Sequence, residues 1–139
     1  MKKYKAVIDT NLVIAGLYSA KGISYQILRL IEKGKIVPYI STSLLFEYEE
    51  VLRRNQEKLV LTNEDIEQIL NSICSKSEQR RIHFLWRPQL IDPKDDHILE
   101  LAVACDNTDI VTFNIKHFVP AANFGIRVIK PKQLLEELK

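Results

Sequence analysis

Apolar and polar positions follow two different periodicities along the chain, and the changes between them predict alternating strands and helices. A continuous apolar run from Tyr4 to Ile8 is typical of a buried strand. Apolar residues then recur at helical spacing from Ile23 to Ile31, and this helix is expected to end at Lys33-Gly34. Val37 to Ile40 is the next predicted strand.

Two helices are predicted in the middle of the chain, each preceded by polar residues that can cap it. Ser41 to Ser43 precede an apolar stripe from Leu44 to Leu52. Thr62 to Asp65 precede a second stripe, from Ile66 to Ile73. A short strand is then expected at residues 82 to 86.

The last third of the chain predicts one more helix, two strands and a closing helix. Asp92-Pro93 has the form of a helix start, and this helix is expected to run to about Cys105. Strands are predicted at Asp109 to Thr112 and at Arg127 to Ile129, and Pro131 begins the final amphipathic helix.

This order of elements favours an α/β fold, a three-layer α/β/α sandwich with a mostly parallel central sheet. The 139 residues, 46% of them hydrophobic and 27% charged, fit a single domain over residues 1–139. In such sheets ligands bind beyond the carboxyl ends of the strands. Polar residues at those ends are therefore the candidates for function.

Composition excludes several classes of function. Lys and Arg total 20 against 18 Asp and Glu, so the net charge of +2 gives no general attraction to nucleic acid or membrane. The longest apolar candidate, Leu12 to Leu17, is far shorter than a membrane-spanning helix. Asp9 interrupts the apolar stretch behind the basic start, which argues against a signal peptide. Cys74 and Cys105 form no CxxC pair, and a cytoplasmic protein is expected.

Asp9 is the first candidate, because it directly follows the first predicted strand. A carboxylate at the end of a buried strand costs several kcal/mol unless a cation or strong donors compensate it. The structural alternative, about equally probable on position alone, is that Asp9 caps the next helix by accepting the N–H groups of Asn11 and Leu12.

A second candidate lies on the helix that contains Leu44 to Leu52. At 100° per residue, Glu47 and Glu49 fall on opposite margins of its apolar stripe, whereas Glu50 faces away. Periodicity alone does not choose between Glu47 and Glu49.

A third group of carboxylates, Asp92, Asp95 and Asp96, stands at the predicted start of a later helix. Capping accounts for Asp92 and Asp95 but leaves Asp96 as the better candidate for a metal ligand. We expect these three groups of acids to converge at one edge of the parallel sheet. They come from the end of the first strand, from a middle helix and from the start of a later helix. Such oxygen ligands favour Mg²⁺ or Mn²⁺ and phosphate chemistry, and the three histidines share no metal-binding spacing.

Four ordered segments resemble the landmarks of the PIN domain family, most closely its branch of toxins from toxin-antitoxin systems. The resemblance spans nearly the whole chain and rests on the following segments: Val7 to Asn11, Ser41 to Leu52, Asp92 to Ala102 and Ile110 to Asn114. It implies a metal-dependent ribonuclease that cleaves single-stranded RNA with Mg²⁺ or Mn²⁺.

The resemblance also implies a role for each matched position. Asp9, Glu47 and Asp96 match the metal-binding acids, with Asp95 as the fallback for the third. Asn11 and Thr112 match residues that support the site by hydrogen bonds.

One catalytic position departs from the family pattern, because Asn114 stands where a fourth acid is common. An amide oxygen can bind a metal but carries no charge, so a second ion is expected to bind more weakly. Asp109 begins the same predicted strand and lies too far away to substitute for that acid.

RNA contacts require basic side chains near the acids. The candidates are Lys116, Lys94, Arg53, Arg54, Lys58, Arg80, Arg81 and His117. Lys116 is preferred because it lies two residues after Asn114. The resemblance further implies an antitoxin that covers the acidic cleft and a possible homodimer.

Two other classes of function were weighed. A haloacid-dehalogenase phosphatase needs a second acid two residues after the first, where this chain has Asn11. The stronger alternative is a catalytically weak or inactive PIN-fold module, altered at Asn114, that binds RNA or a protein partner.

Overall fold

A computed structural model describes residues 3–18, 22–82 and 95–138. Five parallel strands form one sheet in the order β3-β2-β1-β4-β5. The strands are β1 (Tyr4–Ile8), β2 (Ile36–Ile40), β3 (Glu78–Gln79), β4 (Asp109–Val111) and β5 (Val128–Ile129).

Helices connect the strands and complete a three-layer α/β/α fold, which confirms the predicted fold class. A 3₁₀ segment at Ile115–Phe124 follows β4. The α-helices are α1 (Thr10–Tyr18), α2 (Ile23–Glu32), α3 (Thr42–Arg54), α4 (Asn63–Lys76), α5 (Asp96–Ala104) and α6 (Pro131–Glu137). None of the helices in the described ranges is both long and apolar enough to cross a bilayer.

The structure corrects the predicted elements in two places, and a third prediction lies outside the described residues. Two helices rather than one join β1 to β2, because α1 is apolar on nearly every side and shows no amphipathic stripe. The third strand comes at Glu78–Gln79, and Ile82 lies outside it, while residues 83–86 lie outside the described part. The predicted helix start at Asp92-Pro93 also lies outside it, and α5 is described from Asp96.

The position of β1 in the sheet decides where the site lies. Its neighbours are β2, the next strand along the chain, and β4, which the chain reaches only after crossing the sheet. The gap between β1 and β4 is therefore the topological switch point, where open α/β sheets bind ligands. Ile8 pairs with Val111, and the Asp9 N–H donates to the Val111 carbonyl at 3.0 Å. Residues 9 and 112 thus leave adjacent strands side by side.

Gly16 allows α1 to lie close against α2. A Cβ atom at this position would stand 2.4 Å from Leu28 Cδ1, 2.9 Å from Leu28 Cγ and 3.1 Å from the Ser24 carbonyl oxygen. Because these distances are below van der Waals contact, any larger residue forces the two helices apart or displaces Leu28.

We predict that Gly16→Ala destabilises the protein by about 1–3 kcal/mol in urea denaturation, because overpacking outweighs the better helix propensity of alanine. In a Leu28→Ala background the same substitution should cost less, since the clashing side chain is gone. A gain in stability for the single variant, as propensity alone predicts, would contradict this account of the α1–α2 contact.

Candidate functional site

A groove of about 630 Å³ opens beyond the carboxyl ends of β1 and β4. We call it the acidic groove, because four of its lining residues are carboxylates. Its described lining consists of Asp9, Thr10, Asn11, Ser43, Phe46, Glu47, Glu50, Val51, Arg54, Asp95, His97, Asn114 and His117.

Asp9 is 5% exposed at the end of β1. The Thr112 hydroxyl donates to Asp9 Oδ2 at 2.6 Å and accepts the Asn114 N–H at 3.0 Å. The Leu12 N–H goes to the main-chain carbonyl of Asp9 at 3.0 Å. Thr112 therefore fixes the carboxylate, and the predicted capping of Leu12 is made by the backbone of Asp9 instead.

Glu47 reaches the same groove from α3. The Thr10 hydroxyl donates to Glu47 Oε2, and His97 Nε2 lies 3.4 Å from Glu47 Oε1. Glu49 instead forms an ion pair with Arg53 at 2.9 Å, away from the groove lining. The structure thus distinguishes the two glutamates that periodicity left open.

Local sequence determines how α3 presents Glu47. The Ser41 hydroxyl accepts the Leu44 N–H at 3.1 Å and so caps the helix directly after β2. One turn further, the buried Tyr48 hydroxyl donates to the Ile8 carbonyl at 2.6 Å. This bond ties α3 to the end of β1, which holds the Glu47 side chain beside Asp9.

The start of α5 forms the opposite wall. Asp95 is partly buried and lines the groove, with His117 Nδ1 3.7 Å from its Oδ2. Asp96, the preferred third acid, is 1% exposed and does not line the groove, although both of its chain neighbours do. Asp92 lies outside the described residues.

The structure places the two predicted supporting residues and Asn114 in or beside the acidic groove. Asn11 is exposed on the groove wall, and Asn114, which follows β4, also lines the groove. Thr112 is fully buried behind Asp9.

Two of the candidate RNA-binding side chains, Arg53 and Lys116, are not part of the groove lining. Arg53 is bonded to Glu49, and Lys116 is exposed but does not line the groove. Lys94 lies outside the described residues.

Asp109 stands at the other end of β4, as expected, where the Tyr4 hydroxyl donates to its Oδ2 at 2.5 Å and Arg127 Nη2 at 2.6 Å.

Sequence reasoning missed several groove residues. Ser43 and Glu50 lie at helical spacing from Glu47 and share its face of α3, although Glu50 was expected to face away from the apolar stripe. Arg54, a candidate for RNA contact, lines the groove from the same face. His97 and His117 had no metal-binding spacing to reveal them, and only their closeness to Asp96 and Asn114 in the chain pointed to this region.

Burial and like charge act together on Asp9. Burial raises the pKa of the Asp9 carboxyl above its usual range, and the negative charge of Glu47 raises it further. Hydrogen bonds from Thr112 and Thr10 act in the opposite direction, as does His97. Burial also raises the pKa of Tyr48, with smaller contributions from Asp9 and Glu47. The two carboxylates therefore destabilise each other's charged form in a partly desolvated place.

The donor set fits a hard divalent cation. Carboxylates, hydroxyls and an amide are the ligands that Mg²⁺ and Mn²⁺ prefer. Within residues 3–18, 22–82 and 95–138, no three Asp, Glu, His or Cys side chains form a complete metal-binding group. Mg²⁺ commonly needs only one or two carboxylates, because waters and substrate phosphates fill its other positions. Asp9 and Glu47 satisfy that requirement.

We predict that Asp9→Asn stabilises the metal-free protein at pH 7. Because the folded-state pKa of Asp9 lies above its unfolded value, the folded chain binds more protons between the two values, and stability falls as pH rises through that window. The amide avoids this penalty while still accepting from Thr112.

Urea denaturation in EDTA should show the advantage of Asp9→Asn at pH 7 and its near disappearance at about pH 3, below the unfolded pKa of about 3.9, where the wild-type carboxyl is mostly protonated in both states. A variant that is less stable at both pH values would contradict the assigned burial penalty.

Comparison with known proteins agrees with this geometry. The uncharacterized protein MJ1680 of Methanocaldococcus jannaschii is 28% identical over 150 residues, which cover 99% of this chain and 93% of that protein. The PIN domain family matches residues 5–116, a range that contains all but the first residue of β1, together with α3, α5 and the start of the segment after β4. PIN domains are generally nucleases, which agrees with an acidic groove at the switch point of the sheet. This chain belongs to the PIN domain family.

Proposed function

We propose that this protein is a ribonuclease that hydrolyses phosphodiester bonds of single-stranded RNA with Mg²⁺ or Mn²⁺. One observation carries the proposal: carboxylates from β1 and α3, Asp9 and Glu47, meet in one groove at the switch point of the sheet. These two side chains would hold a divalent cation, whose charge would relieve their mutual repulsion in a partly buried place.

The third acid of the proposed site comes from the start of α5. Asp96 is the preferred residue from the family pattern, and Asp95 is the alternative that the groove exposes. Because Asp96 is almost fully buried, we propose that it acts through water, whereas Asp95 contacts the groove directly.

The side chains around these acids hold them in position for catalysis. Thr112 fixes Asp9 by donating to Oδ2, while Thr10 and His97 contact the two oxygens of Glu47. We propose that the Asn114 amide, on the groove wall, orients the attacking water. A bound Mg²⁺ or Mn²⁺ would supply Lewis acidity and lower the pKa of a water in the groove. Hydrolysis in this arrangement leaves 5′-phosphate and 3′-hydroxyl ends.

Asn114 sets the expected metal stoichiometry. With a neutral amide at this position, a second ion has fewer negative charges to hold it. We propose one firmly bound metal, with a second arriving together with the substrate. If such a site catalyses weakly or not at all, the alternative function applies. The protein is then a PIN module that binds RNA or a partner protein without cutting.

A biological role follows from the toxin branch that the sequence resembles. We propose that the protein is the cytoplasmic toxin of a toxin-antitoxin pair, that its antitoxin covers the acidic groove, and that two copies form a homodimer. The acidic groove gives such an inhibitor a single place at which to block the proposed chemistry.

We predict that Glu47→Gln lowers Mn²⁺-dependent cleavage of a single-stranded RNA by at least about a hundredfold, because it removes one of the carboxylate charges that would hold the ion. Glu49→Gln is the matched control, since it makes the same change two residues away on the same helix, outside the groove lining. Cleavage is measured by gel with an end-labelled strand, and the product ends are tested with a phosphatase.

Equal activity of both variants would contradict the role of Glu47. RNA binding without metal-dependent cleavage by the wild-type protein would favour the binding module instead.

We predict that Mn²⁺ raises the thermal stability of the wild-type protein, because a ligand that binds only the folded state adds about 2.7 kcal/mol at a hundred times its Kd. Asp9→Asn should lose most of this effect, while Asp109→Asn, the same change at the far end of β4, should keep it. An equal Mn²⁺ effect on all three proteins would show that the ion binds elsewhere.

A further inference from the structure

The described lining of the acidic groove offers a nucleic-acid strand few basic side chains that do not already face a carboxylate. Arg54 pairs with Glu50 at 2.5 Å, His97 lies 3.4 Å from Glu47, and His117 lies 3.7 Å from Asp95. Because phosphates need cations that are not already paired, the described lining gives little electrostatic affinity for a backbone. A strand that binds here needs another source of affinity.

Phe46 is an aromatic side chain placed to supply it. It lines the acidic groove directly before Glu47 on α3, and it is 63% exposed. Isolated exposed apolar residues are common, but this ring stands in the same groove as Asp9 and Glu47. A planar apolar surface beside clustered carboxylates suits a neutral, flat ligand rather than an anion.

We propose that Phe46 stacks on a base of the nucleic-acid strand and so positions the neighbouring phosphate at Asp9 and Glu47. This inference rests on the proposed ribonuclease function and adds a specific base-contacting residue to it. Stacking on an aromatic ring is available to every base and contributes about 1–3 kcal/mol per base. The site is therefore expected to tolerate any base at this position.

Stacking on Phe46 also discriminates between strands and duplexes. A base inside a duplex is covered by its neighbours on both faces, so it can meet the ring only after it leaves the stack. Binding that depends on Phe46 is accordingly expected for a single strand and not for a blunt duplex of the same sequence.

The experiment measures the Kd of a labelled six-nucleotide oligoadenylate by fluorescence anisotropy. Ca²⁺ replaces Mn²⁺ to keep a divalent charge in the groove, and a gel confirms that the strand stays intact. Phe46→Leu keeps an apolar side chain but removes the aromatic ring, Phe46→Trp keeps a ring, and Tyr18→Leu removes an exposed aromatic outside the groove.

Phe46→Leu should weaken binding about tenfold, as the loss of one stacked base requires, whereas Phe46→Trp and Tyr18→Leu should bind within about twofold of wild type. A set of strands is then tested, each with the base missing at one position. At a single position the missing base should weaken binding to the wild-type protein by the same factor, and it should not weaken binding to Phe46→Leu any further. In cleavage assays Phe46→Leu should raise KM and leave kcat nearly unchanged.

Unchanged binding by Phe46→Leu overturns the proposal and leaves Phe46 as a contact for a protein partner or as plain surface. The proposal is also overturned if the losses of binding free energy caused by the missing base and by Phe46→Leu simply add. These results are separate from the test of nuclease function, because Phe46-dependent binding without cleavage contradicts the ribonuclease and supports the stacking contact.

Discussion

The structure around the acidic groove depends on how the buried carboxylate of Asp9 is stabilised. Burial and the nearby charge of Glu47 both disfavour its ionised form, while hydrogen bonds favour it, above all the short one from the Thr112 hydroxyl. The parallel pairing of β1 with β4 supplies that bond, since it brings residues 9 and 112 out of the sheet as neighbours. The same arrangement leaves Asp9 short of positive charge, which a divalent cation can provide.

The surrounding contacts place the carboxylate of Glu47 near that of Asp9, which increases the negative charge that lacks a compensating cation. Tyr48 anchors α3 to the last residue of β1, and Thr10 contacts Glu47 from the first turn of α1. Hydrogen bonds therefore hold α3 against the junction of β1 and α1, although 37 to 40 residues separate the bonded positions. A cation bound there would be held by both carboxylates, and Phe46 adds a flat apolar surface to the same groove.

Much of this could be predicted from the sequence because it follows from local pattern. The apolar run of β1 and the order of elements predicted a parallel sheet, and the end of that run pointed to Asp9. Helical periodicity reduced the candidate acids of α3 to Glu47 and Glu49 but could not choose between them. The contacts in the folded protein distinguish the two: Glu49 forms an ion pair with Arg53, whereas Glu47 accepts a hydrogen bond from Thr10 of α1.

Other features had no local signal. The helix α1 is too uniformly apolar to show a stripe, and β3 is a polar two-residue edge strand that depends on the backbone of β2. The burial of Asp96 beside the groove-lining Asp95 follows from how α5 packs, which spacing does not reveal. The contact between His97 and Glu47 depends on how α5 packs against α3, so the sequence gives no signal for it.

The central claim is that Asp9 and Glu47 together hold a divalent cation. A crystal of the wild-type protein soaked in Mn²⁺ tests it most directly through the anomalous signal of the metal. The account predicts a peak about 2.1 Å from a carboxylate oxygen of Asp9 and from one of Glu47, with waters completing the coordination. A soaked crystal with no peak between these side chains, and with Glu47 still held by Thr10 and His97, would contradict it.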